Sequence, residues 1–271
     1  MSILEIEREN GVMVIRMNRP DRLNALGMEL RSALADAWGE FQESSELEVA
    51  IFTGTGRAFC AGEDMKESLA RGAAGSASAP VRRENPYDLG TLDKPVIVAI
   101  NGYAMGGGFM LVERGDLRVA VRGAVFESSE AKRWLLGGYD HGLKGGLAHA
   151  VATELAFAFR FTSERLYEVG FINRLVEPDQ LLPAAKEMAA HLMTLPPASR
   201  VNTTVMMRAM RGRPSDELED LAKRLKDHGA KEDLMESRRA FAEKRPPNFK
   251  GWDNAEDRKR TPKLASRPGS A

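Results

Sequence analysis

The stretch of residues 94–112 constrains the fold of this chain more than any other. It begins with a continuous apolar run at 96–100, which is rich in β-branched residues and is followed by an Asn-Gly turn signal. Such a run is typical of a strand buried on both faces. Three consecutive glycines at 106–108 then precede a second apolar run at 109–112. Because each glycine inside a helix costs about 1 kcal/mol relative to alanine, these glycines indicate that the backbone approaches another group closely.

The triple glycine has a functional and a structural interpretation. A helix that starts there presents unpaired N–H groups and the positive end of its dipole, which suits an oxyanion hole or an anion cradle. The alternative is a turn that only lets a strand and a helix pack closely. Neither G-x-x-x-x-G-K-[ST] nor G-x-G-x-x-G is complete in the chain, so a nucleotide-phosphate loop is disfavoured.

Composition and charge narrow the class of protein. With 43% hydrophobic and 29% charged residues, a chain of 271 residues can form a sizeable core. Lys plus Arg and Asp plus Glu both number 39, which argues against a nucleic-acid or membrane surface. A single cysteine, Cys60, excludes an internal disulfide, and no metal-ligand cluster stands out. Because no signal peptide or long apolar run is present, we expect a soluble, cytoplasmic protein.

Hydrophobic periodicity predicts α/β layers. Residues 3–17 alternate around an Asn-Gly pair, the strongest short signal of a hairpin. A helical pattern covers 24–41, and 49–52 is a short buried strand. Residues 57–66 form a glycine-containing turn directly after a strand, where α/β folds bind ligands. The stretch 68–85, rich in Ala, Gly, Ser and Pro, is predicted to be a flap or a loosely ordered loop.

We predict three parts along the chain. Residues 1–195 form the α/β core, and residues 196–250 form a helical C-terminal part. Residues 251–271 are polar and contain few core candidates, so we expect a disordered tail.

Four motifs in order resemble one family. They are Arg-Pro at 19–20 with Asn-Ala-Leu at 24–26, AFCAGEDMK at 58–66, Lys-Pro at 94–95 leading to the triple glycine, and FAEKRPPNF at 241–249. Together they resemble the crotonase, or enoyl-CoA hydratase/isomerase, superfamily over roughly residues 3–250. The resemblance implies a crotonase-like ββα spiral core, a helical C-terminal trimerisation part and a homotrimer or dimer of trimers. It also implies an acyl-CoA thioester substrate, with no cofactor other than the CoA that the substrate carries.

In this family the thioester oxygen sits between two backbone N–H groups. At matching positions these amides belong to Glu63, directly after Ala61-Gly62, and to Gly107. Charge moves onto that oxygen when an enolate forms, and each fixed donor can be worth about 3–4 kcal/mol. Glu63 departs from the small or apolar residue expected there, so its charge must point away from the oxyanion.

The catalytic carboxylates decide the reaction type. The resemblance implies two glutamates in hydratases of the family, one two residues after the triple glycine and one twenty residues later. Here the first position is Met110, which cannot move a proton and is predicted only to contact substrate, and the second is Glu130. A single glutamate resembles Δ3-Δ2 enoyl-CoA isomerases and hydroxycinnamoyl-CoA hydratase-lyases. The alternative for Glu130 is a solvated carboxylate at a strand end.

Three further side chains are weighed as a second acid/base group. Asp140, which is also a predicted substrate contact, and His141 lie in a glycine loop that could border the acyl pocket, although surface loops commonly carry such pairs. Glu113 follows Met110 by three positions, which turns it about 300° around a helix, so it is not expected to replace the missing acid.

Matching positions also imply contacts to the CoA moiety. The predicted contacts are Arg22, Ala25 and Leu26 near the nucleotide, and Ala61 and Lys66 near the pantetheine or phosphates. Arginine and lysine suit phosphate, but a solvated surface charge is the alternative for each. Asp21 stands where family members often carry a basic residue.

The function predicted from the sequence is that of an enoyl-CoA hydratase or lyase with one glutamate as acid/base and two amides as the oxyanion hole. Three alternatives stay open. They are a Δ3-Δ2 enoyl-CoA isomerase, a CoA-independent C–C bond hydrolase and a non-catalytic family member.

Overall fold

The computed structural model describes residues 2–70 and 85–264. Residues 71–84 of the predicted flap and residues 265–271 of the predicted tail lie outside the described residues. The strands are β1 (Leu4–Glu9), β2 (Val12–Met17), β3 (Val49–Gly54), β4 (Ala58–Cys60), β5 (Val96–Ile100), β6 (Tyr103–Met105), β7 (Leu117–Val121), β8 (Val125–Glu127), β9 (Phe161–Thr162) and β10 (Arg174–Val176). The α-helices are α1 (Met28–Glu43), α2 (Met65–Ala70), α3 (Pro86–Leu89), α4 (Gly107–Arg114), α5 (His149–Ala156), α6 (Ser163–Glu168), α7 (Leu181–Met193), α8 (Pro197–Ala209), α9 (Asp216–Lys226) and α10 (Glu232–Ala242).

The predicted hairpin opens the main sheet. β1 and β2 pair in antiparallel fashion, with Glu9 opposite Val12, and Asn10 and Gly11 both have positive φ in the turn between them. From β2 onward the pairing is parallel, in the order β1-β2-β3-β5-β7-β10. All five residues of β5 are buried, as its unbroken apolar sequence predicts for a central parallel strand.

A second, smaller sheet lies beside the main one in the order β4-β6-β8-β9. Among the described residues, three successive units run from a strand of the main sheet to a short strand of the small sheet and then to a helix. These units are β3-β4-α2, β5-β6-α4 and β7-β8 followed by the 3-10 helix Ser129–Lys132. This arrangement confirms the predicted crotonase-like ββα core.

The first long helix starts later than the sequence pattern indicates. The predicted start at Asn24 is wrong, because α1 begins at Met28 and both Leu23 and Asn24 have positive φ. The Asn24 side chain is fully buried, where it accepts a hydrogen bond from Arg19 N at 2.8 Å and donates one to Ala58 O at 2.8 Å. These tertiary hydrogen bonds override the local helical pattern and hold residues 19–26 against β4.

Helices dominate the C-terminal part of the chain, as predicted. α7 packs on β3, β5 and β7, and its buried residues include Ala185 and Ala189. The breaks at Pro196-Pro197 and at 212–214 separate α7 from α8 and α8 from α9. α10 packs against α2, next to the motif at 58–66. The proposed boundary between residues 195 and 196 stays a prediction.

The tail has local order where the structure describes it. Asn254 and Asp257 form a capping box at the start of a 3-10 helix, Ala255–Arg260, and Trp252 contacts the ring of His228. The polar sequence predicts disorder here, whereas the structure has these local contacts. Capping and ring packing need only a few suitably spaced side chains. Within residues 2–70 and 85–264, none of the helices has the length and apolarity that crossing a membrane requires.

Candidate active site

The glycine turn before α4 brings two backbone segments into close contact. A Cβ atom added at Gly108 would collide with the carbonyl oxygen of Cys60, and one added at Gly62 would lie 2.7 Å from Met105 O. Gly106 forms the N-cap with φ 52°, and its N–H donates to Glu127 O at 2.8 Å. The structural interpretation of the triple glycine therefore holds for Gly108, since a side chain there would push α4 away from β4.

The same turn brings the predicted oxyanion-hole positions together. A Cβ atom added at Gly62 would lie 3.2 Å from Gly107 N, so the peptide that leads into Glu63 adjoins the first residue of α4. Leu26 N donates to Gly62 O at 2.7 Å, and Ala61 N donates to Leu23 O at 3.0 Å. Glu63, Gly107, Leu26 and Ala61 thus meet at one point, although they come from three separate parts of the chain.

The Glu63 carboxylate affects the pKa of two arginines, Arg133 and Arg238. Burial lowers the pKa of Arg133 and of Arg238, and the net pKa of each is lowered. The charges of Glu127 and Glu63 oppose this shift at Arg133, and the charge of Glu63 opposes it at Arg238. Arg133 also lies over the Phe241 ring, and Arg238 lies over the Trp134 ring. The carboxylate that is unexpected at position 63 therefore lies near two positive charges.

Glu130 faces the N-terminus of α4. It lies in the 3-10 helix after β8, and Ser128 Oγ donates to its Oε2 at 2.8 Å. Its other oxygen, Oε1, would lie 3.6 Å from a Cβ atom added at Gly106. Gly137 packs on the Glu130 backbone and Cβ, so a side chain at 137 would displace the acid. The residue is half-buried, unlike the solvated glutamate of the alternative interpretation.

Met110 lies on α4 and lines a cavity of about 350 Å³. The walls of this cavity carry both apolar and charged side chains, among them Tyr87, Met110, Glu113, Arg114, His141 and Arg211. Position 110 supplies an apolar contact to this space, as its side chain predicts. The cavity extends from Met110 along α4 toward the ends of α3 and α8.

Glu113 and His141 form a buried pair on the wall of that cavity. Glu113 Oε2 lies 2.8 Å from His141 Nδ1, while Oε1 accepts hydrogen bonds from Gly142 N at 2.6 Å and Gly145 N at 3.1 Å. Burial lowers the pKa of His141, but the hydrogen bond and charge of Glu113 raise it by more, so the net pKa is raised. A carboxylate on α4 thereby holds both the imidazole and the loop that carries it.

Asp140 has a different environment from its neighbour in sequence. Its carboxylate forms an ion pair with Lys144. Burial raises the pKa of Asp140, and Lys144 lowers it by more. Asp140 lines a second cavity of about 470 Å³, together with Leu143, Leu218 and Leu225. The structure therefore separates Asp140 from His141, which the sequence could only treat as a pair.

The predicted CoA contacts lie around one buried carboxylate. Asp64 is 4% exposed and accepts from Arg19 Nη2 at 3.1 Å and from Lys66 N at 3.2 Å, and Arg22 Nη2 lies 3.6 Å from it. Arg22 and Lys66 thus flank the same site, with the Lys66 side chain exposed and that of Arg22 partly exposed. Ala25 is buried beside them, and the acidic Asp21 is exposed.

Comparison with known proteins identifies the family. A family model described as enoyl-CoA hydratase/isomerase matches residues 7–253. The chain belongs to the enoyl-CoA hydratase/isomerase family. This confirms the predicted family and the prediction that the chain is an enzyme of it.

Several relatives in this family have names that state a reaction. The chain is 34% identical to mevalonyl-coenzyme A hydratase sidH of Aspergillus fumigatus over 251 residues, which cover 88% of this chain and 91% of that protein. It is 32% identical to carnitinyl-CoA dehydratase of Salmonella paratyphi A over 258 residues, 92% and 98% of the two chains. The crystal structure of carnitinyl-CoA hydratase from Mycobacterium avium matches with a TM-score of 0.76 and 31% identity, covering 92% of this chain and 98% of that one.

Sequence reasoning missed two features of this family member's site. The first is Asp64, whose carboxylate organises Arg19, Arg22 and the start of α2. The second is the pairing of Glu113 with His141, which are 28 positions apart and were weighed only separately. No local signal joins residues at such a distance, although each of them is considered from the sequence as a second acid/base group. Within the part of the chain that the structure describes, no group of three or more acidic, His or Cys side chains could hold a metal ion.

Proposed function

We propose that this protein adds water to an enoyl-CoA thioester, or removes it from a 3-hydroxyacyl-CoA, through an enolate. The amides of Glu63 and Gly107 donate hydrogen bonds to the thioester oxygen, and Glu130 moves a proton at C2. The observation that carries the proposal is the position of Glu130 Oε1 beside the glycine turn at the N-terminus of α4. The names of the two relatives, a hydratase and a dehydratase of CoA esters, support the same reaction class.

The amides and Glu130 have different functions in the proposed reaction. When water adds at C3, electrons move onto the thioester oxygen, and the two amides and the positive end of α4 stabilise the negative charge. The enolate then takes a proton at C2, and elimination of water runs the same steps in reverse. Glu130 can make this transfer because its Oε1 faces the turn while Ser128 holds Oε2.

An isomerase is the second candidate, and Met110 is the observation that favours it. A Δ3-Δ2 isomerase needs only one group to carry a proton between C4 and C2, and Glu130 alone could do this. A CoA-independent hydrolase and a non-catalytic protein are less well supported, because the two named relatives act on CoA esters.

The predicted assembly and CoA contacts are part of the proposal. Arg22, Ala25 and Leu26 are proposed to contact the nucleotide of CoA, and Ala61 and Lys66 its pantetheine or phosphates. The predicted homotrimer or dimer of trimers is proposed to use the helical C-terminal part. The exposed side chains of Met206 and Met207 in α8 and of Met210 at its C-cap suit such an interface, because exposed apolar patches commonly mark protein contacts.

The reaction can be tested with a panel of crotonyl-CoA, a 3-enoyl-CoA and feruloyl-CoA. Mass spectrometry distinguishes gain of water, unchanged mass with a moved double bond, and loss of an aldehyde. We expect gain of water, and we expect Glu130→Gln to abolish it. A second assay incubates butyryl-CoA in D2O and follows exchange of the C2 hydrogens, which requires only the oxyanion hole and Glu130.

Two outcomes would overturn the proposal. One is wild-type turnover by Glu130→Gln, which would exclude Glu130 as the proton carrier. The other is double-bond movement without any water gain, which would favour the isomerase.

A further inference from the structure

We propose that His141, held by Glu113, is a second proton-transfer group of this active site, and that its Nε2 takes the proton from the water that adds at C3. This inference rests on the proposed hydration or dehydration reaction. It assigns to an imidazole from a distant loop the function that Met110 cannot perform at the first carboxylate position.

The first observation is the orientation of the imidazole. Its Nδ1 faces Glu113 Oε2 at 2.8 Å, and Glu113 Oε1 is occupied by the N–H groups of Gly142 and Gly145. An ionised carboxylate can only accept, so the Nδ1 atom carries the hydrogen. The other nitrogen, Nε2, then holds the lone pair or the exchangeable proton, which is the arrangement of a histidine that acts as base and acid.

The second observation is the side on which this reactive edge lies. The position that a Gly138 Cβ atom would occupy is 3.0 Å from His141 Cδ2 and 3.3 Å from Glu130 Cβ, and an atom there would collide with Ser128 Oγ. Cδ2 is bonded to Nε2. The ring edge that is turned away from Glu113 therefore lies next to the segment that carries Glu130.

The third observation is that His141, Glu113 and Met110 line the same cavity of about 350 Å³. Water held in this cavity can contact His141, although Met110 itself offers no donor or acceptor for it. Glu130 does not line the cavity, but it lies beside Gly138, as the ring does, and its charge raises the pKa of His141.

The protons taken up and released in this step balance. His141 Nε2 takes one proton from water as the oxygen forms its bond to C3, and Glu130 delivers one proton to C2 of the enolate. The cycle leaves His141 protonated and Glu130 ionised, and one proton passing from the imidazole to the carboxylate through water restores both. Dehydration uses the same groups in the opposite direction.

His141→Asn is the informative variant. The asparagine amide nitrogen replaces Nδ1, so the hydrogen bond to Glu113 and the loop are retained while Nε2 is removed. We expect crotonyl-CoA hydration to fall by about 10²–10⁴-fold, whereas C2 exchange of butyryl-CoA persists. The matched control is His149→Asn, which changes an exposed histidine on α5 and is expected to leave both reactions unchanged.

A rescue experiment excludes a merely structural effect. Met110→Glu in the His141→Asn background restores a carboxylate at the first position, and we expect it to recover hydration in part. Equal melting temperatures of wild type and His141→Asn at alkaline pH, where the charge of the imidazole no longer contributes, show that the loop is intact.

The pH profile of the wild-type enzyme provides a test that needs no variant. His141 must be neutral to take a proton, so hydration falls as pH drops through its raised pKa, and butyryl-CoA exchange lacks this limb. The charged groups that face the ring are Glu113 from α4, Glu130 from the 3-10 helix, and Asp140 and Lys144 from its own loop.

The two proposals fail in different ways. Wild-type hydration by His141→Asn, or equal loss of hydration and exchange in that variant, would overturn the role of His141. Retention of both reactions by Glu130→Gln would overturn the proposed function, whatever His141→Asn does.

Discussion

Glu113, in the last turn of α4, and Glu130, which faces the N-terminus of α4, differ in their hydrogen bonds. Glu113 is 4% exposed, and its oxygens contact the His141 ring and two backbone N–H groups. Glu130 is half-buried, and among the described residues only the Ser128 hydroxyl donates to its carboxylate. A carboxylate whose lone pairs are occupied positions its neighbours, whereas one with an open oxygen can exchange a proton. Burial alone would single out Glu113, whereas the open oxygen favours Glu130 for the proposed proton transfer.

Glu130→Gln is expected to have the largest effect. The amide keeps a hydrogen bond to Ser128 but cannot carry the proton, so kcat should fall by about 10²–10⁴-fold. The melting temperature should stay close to that of the wild type. A large loss of stability in this variant would mean that Glu130 is structural as well, and the contrast with Glu113 would break down.

Glu113→Ala, in contrast, should lower the stability of the protein. It leaves the imidazole and the N–H groups of Gly142 and Gly145 without their buried partner, so we expect unfolding free energy to fall by about 3–5 kcal/mol. Urea denaturation measures this change. Glu113→Gln, which keeps one acceptor oxygen, serves as the comparison and should lose less. Unchanged stability of the alanine variant would contradict the anchoring role.

Gly108→Ala tests the position of α4, the helix that carries Glu113 and whose N-terminus faces Glu130. The new methyl group would collide with Cys60 O, so we expect a loss of about 1–3 kcal/mol in unfolding free energy, together with lower turnover. Gly39→Ala in α1 is the matched control, because nothing lies within 4 Å of the added methyl group. It should stabilise the protein by about 0.5–1 kcal/mol. An unchanged unfolding free energy in Gly108→Ala would indicate that α4 and the segment around Cys60 are less closely packed.

The smallest expected effect is the pH dependence of the Glu113–His141 pair. Burial lowers the pKa of His141, and Glu113 raises it by more, so the folded-state pKa lies above the unfolded value. The stabilisation from this group is therefore fully present below the unfolded pKa and is lost as pH rises through the folded pKa. The difference in melting temperature between wild type and His141→Asn should shrink toward alkaline pH. A difference that grows with pH would mean that folding lowers the pKa of His141, and it would exclude a protonated His141 paired with Glu113.

Local sequence signals predicted much of the fold. The Asn-Gly hairpin, the buried strand β5 and the helix at the triple glycine are confirmed, because each has a sequence signal that lies within a few residues. The start of α1 was misplaced, since the buried Asn24 side chain bonds to β4 across the fold. A helical pattern cannot reveal that a residue is needed elsewhere as a hydrogen-bond donor.

The amino-acid sequence by itself determined the family, the ββα core and the places where glycine allows close backbone contact, because motif order and hydrophobic period are properties of the chain. Only the tertiary structure decided what the charged residues do. It joined Glu113 to His141, assigned Asp140 to Lys144, and turned Glu130 toward the N-terminus of α4. The chemistry of a carboxylate depends on which donors surround it, and those donors come from segments that are distant in the chain.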